Sequence, residues 1–416
     1  MTNKKTNILP IVVMFLLFFM IAFVTNFAGS MGVIVKNQFG ASSAMAQLGT
    51  LANFIAYAVM GVPAGLILKR KGYKFTSLLA VSVGFVGVGV QWLSGYAESF
   101  GVYVLGAFIA GFSMCLLNIV VNPMLNTLGG KRGNQLIQFG GSCNSIGGTL
   151  APIILGYLIG GSAATAQVGD AAPAMLAAML IFLLAFVIIS LTKIPEPHIE
   201  TAEQRAAAKS QKSKYSPLSF RHFVLGAVAI FFYVGVEIGI PAELNFYLSN
   251  MGFEGSAAIG GTLAAVYWFL MMIGRMLSSA ISGKVSTSTQ MTIVSTTAIV
   301  LLLIAIFLPE SVAIQFEGHD IPVKCFFIAI CGICTSIMWG GIFNLAVEGL
   351  GKYTAAASGL FMTMVVGGGI MPLIQHAIAQ KVGAIPSYWL VIAMLAYILY
   401  YSKIGCKNVN KDIPVE

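Results

Sequence analysis

Twelve apolar runs, separated by short polar breaks, leave this chain few folds to choose from. They span residues 8–35, 44–68, 75–95, 101–128, 135–160, 173–192, 222–248, 257–283, 288–309, 322–350, 354–380 and 385–402. A hydrocarbon core about 30 Å thick takes roughly 20 apolar residues per helical crossing. Inside lipid every backbone N–H and C=O must be bonded within its own segment, which selects helices. With 58% of its 416 residues hydrophobic and 9% charged, the chain cannot surround a separate water-facing domain. The expected fold class is therefore all-α integral membrane, with twelve transmembrane helices. The run at 8–35 is too long for a signal-peptide core and reads as a retained first helix.

The formal charge of +9 first suggests nucleic acid, but the placement of the basic residues explains it otherwise. If the N-terminus is cytoplasmic, nineteen of the 23 lysines and arginines fall in cytoplasmic segments. The opposite side holds only Lys36, Lys324 and Lys381, and Arg275 lies within a span. This is the positive-inside pattern; it predicts both termini in the cytoplasm and leaves no separate case for a nucleic-acid partner. The longest hydrophilic stretch, 193–221, divides the runs six and six. Expected domains are an N-terminal half at 1–192, a cytoplasmic linker at 193–221 with a short amphipathic helix near 202–212, and a C-terminal half with its tail at 222–416. The cysteines lie almost wholly in apolar runs, so Cys331 and Cys334 read as packing residues rather than a metal or redox pair.

The halves repeat one another. Gly147-Gly148-x-x-x-Pro152 in the fifth run returns as Gly367-Gly368-x-x-x-Pro372 in the eleventh, 220 residues later and in the same orientation. Such parallel six-helix pseudo-repeats resemble the major facilitator fold, in which substrate binds near mid-membrane between the halves. The run Gly65-Leu66-Ile67-Leu68-Lys69-Arg70-Lys71-Gly72-Tyr73-Lys74 resembles that superfamily's loop 2–3 motif, with Lys69 where an acidic residue is usual. Within the superfamily the chain is most similar to the fucose permease and glucose/galactose transporter family. The resemblance rests on Phe232-Tyr233-Val234-Gly235-Val236-Glu237, Tyr267-Trp268, Gly274-Arg275, Ser336-Ile337-Met338-Trp339, Ala346-Val347-Glu348-Gly349-Leu350-Gly351 and Asn122-Pro123. It departs where fucose permease carries acidic residues in helices 1 and 4, since Gly29 and Asn118 stand at those positions. Proton coupling cannot be transferred to them.

Polar groups in lipid are costly unless satisfied, so each one in a span is a candidate. Asn26, Asn118 and Asn144 fall near the centres of their runs, and Asn122 shares a helix face with Asn118. By the resemblance, Asn144 matches a substrate-contacting asparagine. Amides donate and accept, which suits a ligand made of hydroxyls. Tyr267, Trp268 and Trp339 sit at mid-depth rather than in the interfacial belts, and aromatic faces pack on the C–H faces of sugars. Gln375, and less strongly His376, could extend this site. Interhelical hydrogen bonding and core packing are the alternative roles for all of these residues. Among charged residues, Glu348 reads as a helical pair with Lys352 and Arg275 as a structural residue near the cytoplasmic end of its helix. Glu243 reads as close to outer water. Glu237 is the one acidic residue near mid-depth and the expected proton-coupling group.

The resemblance implies a secondary active transporter that imports a neutral hexose or deoxyhexose, coupled to a proton rather than sodium. It would be a monomer embedded in lipid in the cell inner membrane, with no cofactor. A carrier for an acidic sugar or peptidoglycan fragment, a sodium-coupled or facilitative carrier, and a membrane sugar sensor are the alternatives. The sequence holds no H-E-x-x-H, G-x-S-x-G or phosphate-loop pattern, which argues against an enzyme. Labels placed within 193–221 or in the C-terminal tail should react only from the cytoplasmic side. Labelling of intact cells at either place would overturn the twelve-helix topology.

Overall fold

The computed structural model describes residues 8–129, 133–158, 166–196, 215–281 and 285–415. Ten of its helices are long and apolar enough to cross a membrane. One of them, Leu48–Tyr96, has 49 residues and is interrupted at Gly72, where φ 85° and ψ 178° break the helix. A straight helix of that length would span over ~70 Å, so it makes two crossings rather than one. Gly133–Leu158 supplies the remaining crossing, its mean hydropathy lowered by glycine and polar residues. The twelve are α1 (Ile8–Ser30), α2 and α3 (residues 48–71 and 73–96), α4 (Phe100–Gly129), α5 (Gly133–Leu158), α6 (Ala172–Leu191), α7 (Arg221–Ser249), α8 (Ser256–Ile281), α9 (Thr287–Phe307), α10 (Lys324–Val347), α11 (residues 354–382) and α12 (Ala384–Tyr400).

Three details differ from the sequence-based expectation. The first run does not continue unbroken to residue 35, because α1 stops at Ser30 and a short helix, Gly32–Gln38, follows a turn at Met31. The chain is not wholly α: Ala313–Phe316 and His319–Pro322 form an antiparallel hairpin (β1 and β2) between α9 and α10, turning at Glu317 and Gly318, both with positive φ. And α10 is broken between Thr335 and Met338. The amphipathic helix expected at 202–212 lies outside the described residues.

Glycines set how closely the helices approach. In α11, a Cβ on Gly367 would strike the Phe231 carbonyl of α7, and one on Gly369 would come 2.9 Å from Leu51 Cα of α2. A Cβ on Gly61 would lie 2.7 Å from Thr363 Oγ1, so α2 and α11 run together along one seam between the halves. The second seam joins α5 to α8, where a Cβ on Gly148 would lie 3.1 Å from the Trp268 ring. At the face away from the termini, Phe246 of α7 packs 3.8 Å from where a Cβ on Gly32 would be. The halves are thus in contact on that far face.

The turn between α2 and α3 is capped by an acidic residue from elsewhere in the chain. Glu196, just beyond α6, accepts from the backbone N–H groups of Tyr73 (2.5 Å) and Lys74 (2.8 Å) at the start of α3. A carboxylate here meets both unpaired donors and the positive end of the helix dipole. Lys74 Nζ answers from the other side, donating to the carbonyls of Ser190 (2.7 Å) and Thr192 (3.0 Å) at the end of α6. Gly72 occupies a region of backbone space open essentially only to glycine, and Glu196 fills the space a side chain would need. Gly72→Ala should lower stability by about 1–3 kcal/mol, read as a lower melting temperature in detergent; an unchanged melting temperature would show that the turn relaxes freely.

Candidate functional site

Between the seams lies a cavity of about 1080 Å³, lined by α1, α2, α4 and α5 from one half and α7, α8, α10 and α11 from the other. Its lining runs to Lys69, Asn344 and Gly351 at the face that carries the chain termini, and the last two are exposed there. With the far face closed, the cavity opens towards the terminal face.

The N-terminal half contributes four amides beside the rings of Phe18, Phe54, Tyr57 and Tyr73. Asn118 donates to Tyr57 Oη (2.9 Å) and to the Met114 carbonyl (3.1 Å), and Asn122 donates to the Asn118 carbonyl (3.3 Å). Asn144 of α5 donates to the Phe18 carbonyl of α1 (3.0 Å), and Asn26 to Ala22 of its own helix (2.9 Å). All four line the cavity. The C-terminal half contributes rings and charge. Trp268 and Trp339 line the cavity, and Trp339 stacks on Phe343 with centroids 5.7 Å apart and meets Phe361 edge-on at 6.1 Å.

Tyr267 and Gln375 do not belong to this lining. Tyr267 is buried, its hydroxyl 2.8 Å from Thr335 Oγ1 of α10. Trp268, about 100° further round the helix, faces the cavity while Tyr267 faces α10. Gln375 is buried against Gly239 of α7, and neither amide atom has a hydrogen-bond partner. Its neighbour His376 is likewise away from the cavity, with Nδ1 2.9 Å from Glu243 Oε2. Glu243 is therefore buried rather than near water, since the α7–α11 contact closes over it. Glu348 is exposed, and its backbone carbonyl meets His222 Nε2 at 3.0 Å; the side chain of Lys352 lies outside the described residues.

Arg275, expected as a structural residue towards the cytoplasmic end of its helix, lies six residues from that end of α8, lines the cavity and stands 3.5 Å from Glu237, both side chains about nine-tenths buried. The reason is local. The break in α10 releases the Ser336 carbonyl, which accepts from Arg275 Nε at 3.2 Å. On the other side, Arg275 Nη1 donates to the Gly141 carbonyl and to Ser145 Oγ (3.1 Å) of α5. Gly141 leaves room for the guanidinium, since a Cβ there would be 3.3 Å from Arg275 Cδ. One arginine thus joins α5 of the first half to α7 and α10 of the second. Its long stem lets the charge sit deeper than its Cα.

Twelve crossing helices in two halves around one amphipathic central cavity define a polytopic membrane protein of the transporter class. The sequence profile of the Major Facilitator Superfamily matches residues 13–372, and the chain belongs to that family. It is 29% identical to the glucose/galactose transporter of Brucella abortus over 397 residues, covering 94% of this chain and 93% of that protein. It is 22% identical to the L-fucose-proton symporter of Escherichia coli over 423 residues, covering 96% and 93%. Its fold matches the crystal structure of the superfamily transporter FucP in the outward conformation, with a TM-score of 0.74 at 19% identity over 97% of this chain and 100% of that one.

Removing one member of a buried ion pair leaves the other charge unpaired, at a cost of about 3–5 kcal/mol. Arg275→Leu should therefore depress thermal stability strongly, while Arg275→Leu combined with Glu237→Gln recovers part of the loss. A double variant no more stable than the single one would show that Glu237 is not the partner that matters.

Proposed function

We propose that this protein is a secondary active transporter that imports a neutral sugar of the hexose or deoxyhexose class together with a proton, by alternating access. The observation that carries the reading is a single cavity lined by both amides and aromatic faces. Asn26, Asn118, Asn122 and Asn144 provide donors and acceptors for hydroxyls, while Trp268 and Trp339 provide apolar ring faces in the same lining. A hexose presents both kinds of surface, hydroxyls at its rim and C–H groups on its faces. The names of the relatives, a glucose/galactose transporter and an L-fucose-proton symporter, support the same class. Neutral substrates are favoured because the one arginine in the cavity lining is already compensated by Glu237 and by carbonyl oxygens.

Glu237 is the coupling carboxylate in this reading. Ionised, it pairs with Arg275, and the guanidinium at the same time holds α5 of the other half. A proton on Glu237 removes that pairing and changes what Arg275 must bind, which links protonation to the relation between the halves. By the positive-inside pattern the terminal face is cytoplasmic, so the conformation is inward-open, in the inner membrane. The chain works as a carrier without catalytic chemistry, as a monomer, and the segment 193–221 links its two halves.

In proteoliposomes, an inward proton gradient should drive accumulation of labelled hexose or deoxyhexose, and a protonophore should abolish it. Glu237→Gln should keep sugar counterflow but lose uphill accumulation. Asn118→Ala should raise the half-saturation concentration several-fold, for a lost hydrogen bond worth about 1 kcal/mol. If Glu237→Gln still concentrates sugar with wild-type pH dependence, the coupling group lies elsewhere. Absence of counterflow for every neutral sugar would remove the substrate class.

A further inference from the structure

A second buried acid–base pair lies outside the cavity, at the opposite end of the C-terminal half. Glu243 is six residues before the far end of α7, and His376 six before the far end of α11. At 1.5 Å per residue both sit about 9 Å inside the far face. The carboxylate and Nδ1 are 2.9 Å apart, with 5% and 8% of the respective side chains exposed. Gln380 closes the pair from one side, its Nε2 3.4 Å from His376 Nε2, and the Phe246 ring covers the imidazole with centroids 4.7 Å apart. That same Phe246 packs against the first half at Gly32. The pair therefore holds together the two helices whose far ends seal the molecule, directly behind the ring that makes contact across the seal.

Among the described residues the groups around it offer no paired countercharge; the Cys325 and Cys331 thiols of α10, which like Glu243 lie near the Tyr388 hydroxyl, carry no positive charge. Among the described residues, no lysine or arginine forms an ion pair with Glu243. On neighbouring elements, Lys324 of α10 pairs with Glu310 at 3.8 Å, and Lys381 at the end of α11 is exposed. Lys36 is half-buried in Gly32–Gln38, and the Tyr388 hydroxyl of α12 donates to the Ile240 carbonyl at 2.9 Å. Glu237, further down α7, is held by Arg275. Among the described residues, the far turns of α2 at 48–53 carry no titratable group.

We propose that Glu243 and His376 form a proton-binding site of the far-face gate, separate from Glu237. Holding one proton between them, the two groups are net neutral and hydrogen-bonded; holding none, they leave an unbalanced carboxylate away from water. Closing the far face traps the proton, and opening it lets water reach the pair and the proton leave to that side. The closed gate thus binds one more proton than the open gate, so its population falls as pH rises. The ratio of closed to open changes by at most about tenfold per pH unit, the limit for one linked proton. This proton returns to the side it came from and is not cargo. The inference rests on the alternating-access reading but not on Glu237 as its coupling group.

The test places spin labels, through a noncanonical amino acid, at Asn37 and Val382, exposed positions on the far ends of the two halves. Distance distributions are recorded by electron–electron resonance from pH 5.5 to 8.5 in nanodiscs. The wild-type chain should shift from short to long separations as pH rises, and a shift of that sign should remain in Glu237→Gln, where Glu237 can no longer titrate. Added to Glu237→Gln, His376→Gln and Glu243→Gln should each abolish that remaining shift. Retention of the full shift in either gate variant overturns the proposal, as does a wild-type distribution that ignores pH. A shift lost with Glu237→Gln alone and kept in the gate variants would overturn it while leaving the coupling role of Glu237 intact.

Discussion

A guanidinium buried in the middle of a membrane protein has to be satisfied in full, and Arg275 is satisfied by groups from both halves. Ser336 offers a carbonyl freed by the break in α10, Gly141 and Ser145 offer oxygens from α5, and Glu237 offers the countercharge from α7. Each partner exists because of a local feature of the chain. The break in α10 supplies one acceptor, and the missing side chain at Gly141 supplies the space for another. Any change in the ionisation of Glu237 must be felt at α5, across the boundary between the halves. The walls of the cavity are otherwise uncharged through the depth at which the amides and tryptophans sit, so this pair dominates their electrostatics.

Most of the fold was legible in the sequence because membrane insertion reduces folding to a near one-dimensional problem. Apolar length gives the crossings, lysine and arginine placement gives an expected orientation, and the repeat of Gly147-Gly148-x-x-x-Pro152 as Gly367-Gly368-x-x-x-Pro372 gives the two halves. The same reasoning placed Asn26, Asn118, Asn122, Asn144, Trp268, Trp339 and Glu237 at cavity depth, and all seven line it. It went wrong where depth alone does not decide. Tyr267 is next to Trp268 in the chain but faces α10, and Gln375 turns towards Gly239, because rotation about the helix axis is set by neighbours the sequence does not reveal. Arg275 was read as a structural residue, and it is one; its partners were not named, because they stand on other helices. The clue in the sequence was indirect: a glycine at 141 and a serine at 145, one turn apart on a helix of the other half.

The closeness of the seams has its own logic. In lipid there is no hydrophobic gain from bringing two helices together, so contact area and shape decide. Gly61 and Gly369 let α2 meet α11 with backbones nearly touching, while Gly148 leaves room for the Trp268 ring between α5 and α8. Surfaces so poor in side chains interlock weakly and can slide or part without unpacking a core. The turn at Gly72, by contrast, is fastened to the end of α6 from two directions by Glu196 and Lys74, which stiffens the first half internally.

The hairpin of β1 and β2 stands apart from this machinery. Its strands pair from Ala313↔Pro322 to Phe316↔His319, with His319 stacked on Phe253 at 4.3 Å and Phe316 edge-on to Phe326 at 6.0 Å. It is anchored to α10 and to the connection between α7 and α8, all within the second half. On a molecule otherwise wrapped in lipid or detergent, it offers a folded, water-facing epitope. An antibody fragment raised against it would ride on one half alone, giving electron cryomicroscopy of a 44.0 kDa chain an alignment handle that does not favour one conformation over another.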